Sequence, residues 1–158
     1  MHQRAQEFAE RASREYGFEV EVNEFPEGTK TAADAAEAVG CDVAQIASSI
    51  AMRADDGLVV VVTSGANRVS EAKLADRLGL AEDDVEMAGA GEIKSVLGWS
   101  IGGVPPFCHD ADVPVFMDET LTEFETVWAA AGTPEAVFPI DPTELRELSS
   151  AEVADVAE

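Results

Sequence analysis

The chain of 158 residues carries 32 acidic and 10 basic residues, for a formal net charge of −22, and apolar residues make up 46% of it. This apolar content is ordinary for a globular domain, so the acidity does not indicate disorder, and we expect one domain over residues 1–158. The same charge excludes ordinary DNA binding, because neutralising a phosphate backbone requires clustered Lys and Arg.

The acidic residues are spread over nearly every segment that we expect to be exposed, as in "AEDDVE" and "SSAEVADVAE". This distribution is typical of proteins from halophilic archaea. At about 1 M salt the Debye length is only about 3 Å, so repulsion between surface carboxylates is largely screened. The sequence therefore predicts a protein that loses stability at low salt.

The sequence gives little support for a membrane segment, a metal site or a cofactor site. The longest apolar run, residues 58–62, is too short to span a bilayer, and the charged amphipathic N-terminus lacks a signal-peptide pattern. Cys41 and Cys108 have no CxxC spacing, and the only other soft ligands are His2 and His109. We expect a cytoplasmic protein with reduced cysteines, no metal site and no cofactor.

The first third of the chain predicts three helices and a strand. Residues 2–16 place apolar side chains at helical spacing, and "FEVEVN" (18–23) alternates like a half-buried strand. "TAADAAEAVG" begins at a capping residue, Thr31, and ends at Gly40, which are the signals of a short helix. We expect another short helix over 43–47.

The middle of the chain predicts a hairpin. Two apolar strands are joined by Asp55-Asp56-Gly57, whose Asp-Gly pair suits a turn with positive φ. The second strand, 58–63, is apolar on both faces and should be central to the sheet.

The remaining elements complete an α+β pattern. Ser70 should cap a helix that Gly79 ends, residues 92–97 form another helical turn or two, and Asp141 with Pro142 begins a terminal helix. Further strands are predicted near 113–117, 125–130 and 136–140. We expect a compact mixed sheet, mostly antiparallel, with helices at its sides.

The stretch "GWSIGGVPPF" (98–107) concentrates glycine and proline in an apolar segment. Glycine permits positive φ and close approach, while proline fixes φ, so the shape of the loop is nearly set by its sequence. It could be a rigid connection between strands. It could also be a cradle whose amides near Gly102 and Gly103 bind an oxygen atom.

The order of these parts resembles the YbaK-type aminoacyl-tRNA deacylases, a family that includes the editing domain of bacterial prolyl-tRNA synthetases and free-standing trans-editing proteins. The likeness covers nearly the whole chain, and "GWSIGGVPPF" is its most specific segment. The other matching segments are "TAADAAEAVGCDVAQIASSIAMRADDGLVVVVTSGANRVSEAKLADRLG", "GEIKSVLG" and "VWAAAGTPEAVFPIDPTEL". The resemblance implies a partly barrel-like mixed sheet with flanking helices.

The resemblance also implies a reaction, which is hydrolysis of the ester between a mischarged amino acid and the 3′ end of tRNA. In that family the glycine-rich loop lines the aminoacyl pocket and offers backbone donors to the developing oxyanion. The reaction uses a water positioned with help from a ribose hydroxyl, with no metal and no covalent intermediate. Carried over to this chain, the loop residues are Gly102, Gly103, Val104, Pro105 and Pro106.

One position departs from the family pattern. The family usually carries a lysine in a segment like Gln-Ile-Val-Lys-Ser-Leu, whereas the matching "QIASSIAM" has Ser48 there. A serine is a weak neutral substitute for an ammonium group. Either Lys73, Lys94 or Arg53 supplies the charge, or the domain binds without efficient hydrolysis, or its substrate differs.

Other single residues divide between site and core roles. Ser48 lacks a sequence-evident base and is better read as a hydrogen-bonding pocket residue than as a nucleophile. Cys108 stands where the family often has glycine, and a buried apolar role is favoured for it over a dyad with His109. The expected catalytic residues are Ser48, Gly102 and Gly103. The expected substrate-binding residues are Ile50, Met52, Val104, Pro105, Pro106, Phe107, His109, Lys73 and Lys94.

The resulting hypothesis is a trans-editing hydrolase that clears a small mischarged amino acid from tRNA, with the aminoacyl-tRNA 3′ end as partner and a synthetase as a further one. The alternative is a non-catalytic relative that binds aminoacyl-tRNA, a nucleotide or a synthetase. A third reading is a hydrolase of a non-tRNA acyl ester.

Overall fold

The computed structural model describes residues 2–25, 31–55 and 57–158 and has an α+β fold. The helices are α1 (Gln3–Tyr16), α2 (Ala32–Val39), α3 (Glu71–Leu78), α4 (Ala90–Leu97) and α5 (Pro142–Ser149). The strands are β1 (Asn23–Glu24), β2 (Ile46–Ala54), β3 (Gly57–Ser64), β4 (Val85–Met87), β5 (Val115–Asp118), β6 (Val127–Ala130), β7 (Ala136–Ile140) and β8 (Glu152–Ala154). No helix in these ranges is both long and apolar enough to cross a membrane.

All eight strands belong to one mixed sheet in the order β1-β7-β6-β2-β3-β5-β8, with β4 paired to β2 beside this path. Within the described ranges, β1–β7, β2–β3, β2–β4 and β6–β7 are antiparallel, and β2–β6, β3–β5 and β5–β8 are parallel. The sheet ends at β1 and β8 and does not close into a barrel. The predicted α+β class with a mixed, mostly antiparallel sheet is confirmed.

Strand β3 is central, as its sequence predicts. It lies between β2 and β5, and Val60, Val61 and Val62 have no exposed surface. Val60 and Val62 belong to the larger apolar cluster on one face of the sheet, and Val61 belongs to a smaller cluster on the other. A strand covered on both faces requires the unbroken apolar run seen here.

The predicted helix ends are confirmed by their caps. The side chains of Thr31, Ser70 and Asp141 accept hydrogen bonds from amides in the first turns of α2, α3 and α5. Gly40 and Gly79 end α2 and α3 with positive φ. These local signals act within one turn of the chain, so the sequence alone is enough to locate them.

Two predicted elements are wrong in extent. Only Asn23–Glu24 of the "FEVEVN" region pairs as a strand, although Phe18, Val20 and Val22 do pack against the core. The side chains alternate as predicted, but no neighbouring strand is present to form a ladder. The helix predicted over 43–47 is only the 3-10 turn Val43–Gln45, because β2 already begins at Ile46.

The hairpin between β2 and β3 is confirmed, but the residue with positive φ is not the predicted one. The positive φ, 59°, belongs to Asp55, and Gly57 already opens β3. Asp56 lies outside the described residues.

Candidate active site

The glycine-rich loop between α4 and β5 forms a tight turn over residues 100–103. The Gly103 amide donates to the carbonyl of Ser100 at 3.0 Å, and Gly102 has a φ of 85°. A positive φ at the third position of a four-residue turn favours glycine strongly. The turn leaves Ile101 and Gly102 exposed at its tip.

The two glycines are needed for different reasons. Gly103 is buried, and a Cβ added there would lie 2.6 Å from the Cα of Thr133, so this glycine permits close approach of two backbones. The prediction that Gly103 presents a free amide is wrong, because that amide is used inside the turn. The amides of Gly102 and Val104 have no partner in the described ranges.

Helix α1 holds both ends of the loop. Arg4 donates to the carbonyl of Gly98 and its guanidinium lies 4.3 Å from the ring centroid of Trp99. At the other end, Arg11 donates to Asp110 at 2.8 Å and to the carbonyl of His109 at 3.0 Å. The loop is therefore fixed by a helix about 90 residues away in sequence.

The residues after the turn anchor the loop in the core. Pro105, Pro106 and Phe107 are buried, and the Phe107 ring lies 5.4 Å from that of Phe8 and 6.0 Å from that of Phe138. Neither proline nor Phe107 is among the described residues that line a cavity. Their side chains pack in the core, and their role in substrate binding stays a prediction.

His109 and Cys108 also support the loop from inside. The Nε2 atom of His109 lies 2.8 Å from the carbonyl oxygen of Pro105, and burial lowers the pKa of the imidazole. Cys108 is buried with a φ of 66°, and burial raises the pKa of its thiol to about 12. The positive φ explains why glycine suits this position. The buried role predicted for Cys108 is confirmed, and His109 contacts the loop instead of a cavity.

A cavity of about 260 Å³ lies between β2 and the turn. Four of the predicted site residues line it, namely Ser48, Ile50, Gly102 and Val104. The other described residues in its wall are Thr31, Ala32, Ala35, Ile46, Ala47, Ser49, Ala51, Met87, Ile93, Ile101, Trp128, Ala130 and Val137. No member of this set is charged. The side chains of the wall are apolar apart from three hydroxyl groups and the indole N–H of Trp128.

The cavity opens on an unpaired stretch of the β2 edge. On this edge β6 pairs with Ile46 and Ala47 only, and β4 pairs from Met52 onward. The carbonyl of Ala51 points to this edge, because it accepts from the Ala88 amide at 3.1 Å. Alternate residues of a strand direct their peptide groups to the same edge, so those of Ser49 point into the gap between β6 and β4.

Ser48 and Ser49 present different chemistry to this cavity. Ser48 lines it together with a second cavity. No Asp, Glu, His, Lys or Arg belongs to the described wall of the first, whereas Glu71 and Glu158 belong to that of the second, and neither is hydrogen-bonded to Ser48 in the described ranges. The hydroxyl of Ser49 is buried and has no hydrogen-bond partner among the described residues. The site is built for neutral hydrogen bonding and not for a serine nucleophile.

The second cavity, of about 310 Å³, shares Ala32, Ser48, Ile50 and Met87 with the first. Met52 lines this one and is absent from the first, so its predicted place in the aminoacyl pocket is wrong. Strand β4 pairs with the edge of β2 from Met52 onward. It therefore separates this part of β2 from the glycine turn. Arg68 is the one cation in the described wall of this second cavity.

The turn that carries Arg68 is fixed by a buried carboxylate. Asp118 is 1% exposed and accepts from the Ser64 amide at 3.0 Å and from the side-chain amide of Asn67 at 2.9 Å. The Thr120 amide donates to its other oxygen at 3.0 Å. Each buried oxygen of Asp118 is thus hydrogen-bonded, and Asn67 holds the turn through its side-chain amide.

The predicted lysines differ in availability. The Lys73 ammonium lies 3.0 Å from both carboxylate oxygens of Asp155 and 2.7 Å from the carbonyl of Ala157, away from either cavity. Arg53 is exposed and lies 4.0 Å from Glu92. Lys94 is exposed, has no partner in the described ranges, and shares a shallow depression with Ile101. No described lysine or arginine lines the first cavity, and Arg68 lines the second one together with Ser48.

Among the residues of the first cavity that sequence reasoning missed are Ser49, Met87 and Ile101. Met87 and Ile101 are 58% and 54% exposed and form an apolar rim. The signal for Ile101 was present, as an apolar residue at the apex of a glycine turn. No local pattern marks Met87 or Ser49, because each depends on which strand ends beside β2. No group of three or more potential metal ligands exists in the described ranges.

Comparison with known proteins agrees with this geometry. YwhH, an uncharacterized protein of Bacillus subtilis, is 31% identical over 136 residues, covering 85% of each chain. Proline–tRNA ligase of Bacillus pumilus is 29% identical over 128 residues, which is 80% of this chain and only 22% of the ligase. The chain thus spans about a fifth of that relative's length.

A solved structure and a family model extend the comparison. The crystal structure of a protein proposed as a trans-editing enzyme for prolyl-tRNA synthetase superposes with a TM-score of 0.91 at 36% identity, covering 100% of this chain and 99% of that one. The model of the aminoacyl-tRNA editing domain matches residues 26–148. This range includes the first cavity, the second except for Glu158, and the whole glycine-rich loop, and it begins after α1. The chain belongs to the aminoacyl-tRNA editing domain family.

Proposed function

We propose that this chain is a free-standing deacylase that hydrolyses the ester of a mischarged tRNA carrying a small amino acid. The observation that carries the proposal is the uncharged cavity of about 260 Å³ that closes under the Gly102 turn and opens on the β2 edge. A cavity of this size takes a small aminoacyl group, and its neutral walls suit one without a charged side chain. The likeness to a trans-editing enzyme and to prolyl-tRNA synthetases supports this assignment. We infer that the activity belongs to cytoplasmic translation.

The turn supplies the groups for ester hydrolysis. The amides of Gly102 and Val104 are free to donate to the oxyanion that develops on the ester carbonyl. The hydroxyl of Ser48, at the junction of the two cavities, is suited to hold the attacking water or a ribose hydroxyl. Glu71 and Glu158 line the second cavity together with Ser48, but neither is hydrogen-bonded to its hydroxyl in the described ranges, so this scheme leaves proton transfer to water and substrate.

The second cavity and the rim would hold the 3′ end of the tRNA. Met87 and Ile101 offer apolar surface at the mouth, against which a base can pack. Arg68 and Lys94 lie on opposite sides of the first cavity, and neither side chain has a carboxylate partner in the described ranges. In a chain of net charge −22 these two cations are the candidates for phosphate contact. Lys73 is not proposed for this role, because Asp155 already neutralises it.

A second candidate function is binding without hydrolysis, with aminoacyl-tRNA, a nucleotide or a synthetase as ligand. The observation that favours it is Ser48 in the lysine position, with no charged residue in the described wall of the first cavity. Without an ammonium group, binding energy for the substrate's phosphate or ester is lower, and the remaining apolar walls still bind an aminoacyl group.

A deacylation assay in molar potassium chloride separates these functions. The wild-type protein is tested on tRNA charged with alanine, cysteine, serine or proline, beside Ser48→Lys. Release of one amino acid well above the spontaneous rate, and slower release by Ser48→Lys, is the expected result. No release by the folded wild type, with release by Ser48→Lys, would establish the binding function. An Arg68→Gln, Lys94→Gln double variant should raise KM, while Lys73→Gln, the matched control, should not.

A further inference from the structure

The hydroxyl of Ser49 is the most unusual polar group of the first cavity. It is buried, it has no hydrogen-bond partner among the described residues, and its residue lines the cavity. An unpaired buried hydroxyl costs free energy, so native structures rarely keep one without a reason. Apolar residues surround it on β2, with Ala47 and Ala51 two positions away on the same face.

The backbone at Ser49 adds two more hydrogen-bonding groups at the same place. Its N–H and C=O point into the gap where β6 has ended and β4 has not begun. A ligand in the cavity thus meets one fixed donor and one fixed acceptor, beside a buried hydroxyl oxygen that reaches the ligand only when the Ser49 side chain rotates. Elsewhere the described wall around this point is hydrocarbon, including Ile93 and Val104.

The position of Ser49 in the cavity indicates which part of an aminoacyl group would reach it. The exposed rim is formed by Met87 and Ile101, and the catalytic turn at Gly102 is exposed beside them. The ester and amino groups, which every aminoacyl-tRNA shares, belong near that turn. The Ser49 oxygen is buried, whereas Met87 and Ile101 are exposed, so it lies deeper than the rim. The variable side chain of the amino acid therefore faces Ser49.

We propose that Ser49 is a specificity-determining residue that hydrogen-bonds a hydroxyl on the amino-acid side chain, so that the pocket selects hydroxyl-bearing aminoacyl groups over apolar ones of the same shape. The proposal rests on the proposed function for the identity of the ligand. A site that hydrogen-bonds a substrate hydroxyl discriminates against the analogue that lacks it, because its own polar groups are then left unpaired. A single neutral hydrogen bond corresponds to a preference of about three- to tenfold.

The test uses binding, so it does not depend on hydrolysis. The probes are two stable 3′-amide analogues of aminoacylated adenosine, one with threonine and one with valine, which have the same shape. Calorimetry in molar potassium chloride compares wild type, Ser49→Ala and Ser95→Ala. Ser95 is an exposed serine of α4 outside the first cavity and serves as the matched control.

We expect the threonine analogue to bind wild type and Ser95→Ala about three- to tenfold more tightly than the valine analogue. Ser49→Ala should bind both equally, with the valine analogue bound no more weakly than by wild type, and should unfold at no lower temperature. Equal binding of both analogues by wild type would overturn the role of Ser49 and leave the proposed function standing. Failure of wild type to bind either analogue, together with no deacylation, would overturn both.

Discussion

Gly103 and Thr133 bring two backbone segments into direct contact, with only 2.6 Å between the Cα of Thr133 and the place that a Cβ on Gly103 would occupy. The glycine turn is therefore pressed against the connection between β6 and β7. This contact fixes the height of the turn over the first cavity. No side chain larger than hydrogen fits without moving one of the two backbones.

The first prediction is that Gly103→Ala destabilises the protein by about 1–3 kcal/mol, the usual cost of overpacking against atoms that cannot rotate away. Gly91→Ala is the matched control, because a Cβ on Gly91 meets nothing within 4 Å and this glycine lies in helix α4. It should stabilise the fold by about 0.4–1 kcal/mol. Urea unfolding of both variants in molar salt measures the difference. Equal stability of the two variants would contradict the close contact.

The two thiols should differ in reactivity. Burial raises the pKa of both, for Cys108 to about 12, and Cys41 is only half-buried whereas Cys108 is 1% exposed. Since the thiolate is the reactive form, a thiol reagent at pH 8 should label Cys41 slowly and Cys108 only after unfolding. Mass spectrometry of the native protein and of Cys41→Ser measures this. If the folded Cys41→Ser variant reacts with the reagent as fast as the folded wild type, the buried position of Cys108 is refuted.

His109 should make stability depend on pH near neutrality. Burial lowers its folded pKa below the unfolded value of about 6.5, so the unfolded chain takes up the proton first as pH falls. The free energy of unfolding should be constant at pH values above about 6.5. At lower pH it should decrease by at most about 1.4 kcal/mol per pH unit, until the pH reaches the folded pKa. Urea unfolding between pH 7.5 and 5.5 tests this.

The control for this pH dependence is His109→Gln, which retains a donor for the carbonyl of Pro105 and cannot titrate. Its stability should be lower than that of the wild type at pH 7.5 and nearly flat over the same range. A wild-type profile as flat as that of the variant would show that His109 keeps its ordinary pKa.

Salt should stabilise the fold strongly. Raising potassium chloride from about 0.1 M to 1 M shortens the Debye length from about 10 Å to 3 Å and screens the repulsion within a net charge of −22. The unfolding free energy should rise over this range. Replacing the exposed acids of residues 82–84 with their amides should raise stability at low salt and reduce the salt dependence. An unchanged unfolding free energy across the range would contradict this account.

Local features of the fold were accessible to sequence analysis. The caps at Thr31, Ser70 and Asp141 act within one helical turn, and the apolar run of β3 reflects burial on both faces. The short strands β4 and β8 were not predicted. Each has three residues, and each exists because a longer strand of the sheet offers it an edge, a relationship that no local pattern encodes.

The site was predictable only in part, for a similar reason. The glycine turn and Ser48 were found, since motif and resemblance both mark them. Ser49 was missed because its importance comes from the gap between β6 and β4, which depends on where two distant strands stop. Phe107 was assigned to the substrate although the same motif serves to bury it against Phe8 and Phe138.

Helix α1 provides no described residue of either cavity wall, yet Arg4 and Arg11 hold the two ends of the glycine-rich loop. It also precedes the segment shared with the family. The helix that supports the loop is thus separate from the residues that line the cavities. Substitutions on α1 can loosen or tighten the loop, and so change the rate at which substrate enters and product leaves, while the surface that chooses the amino acid stays the same.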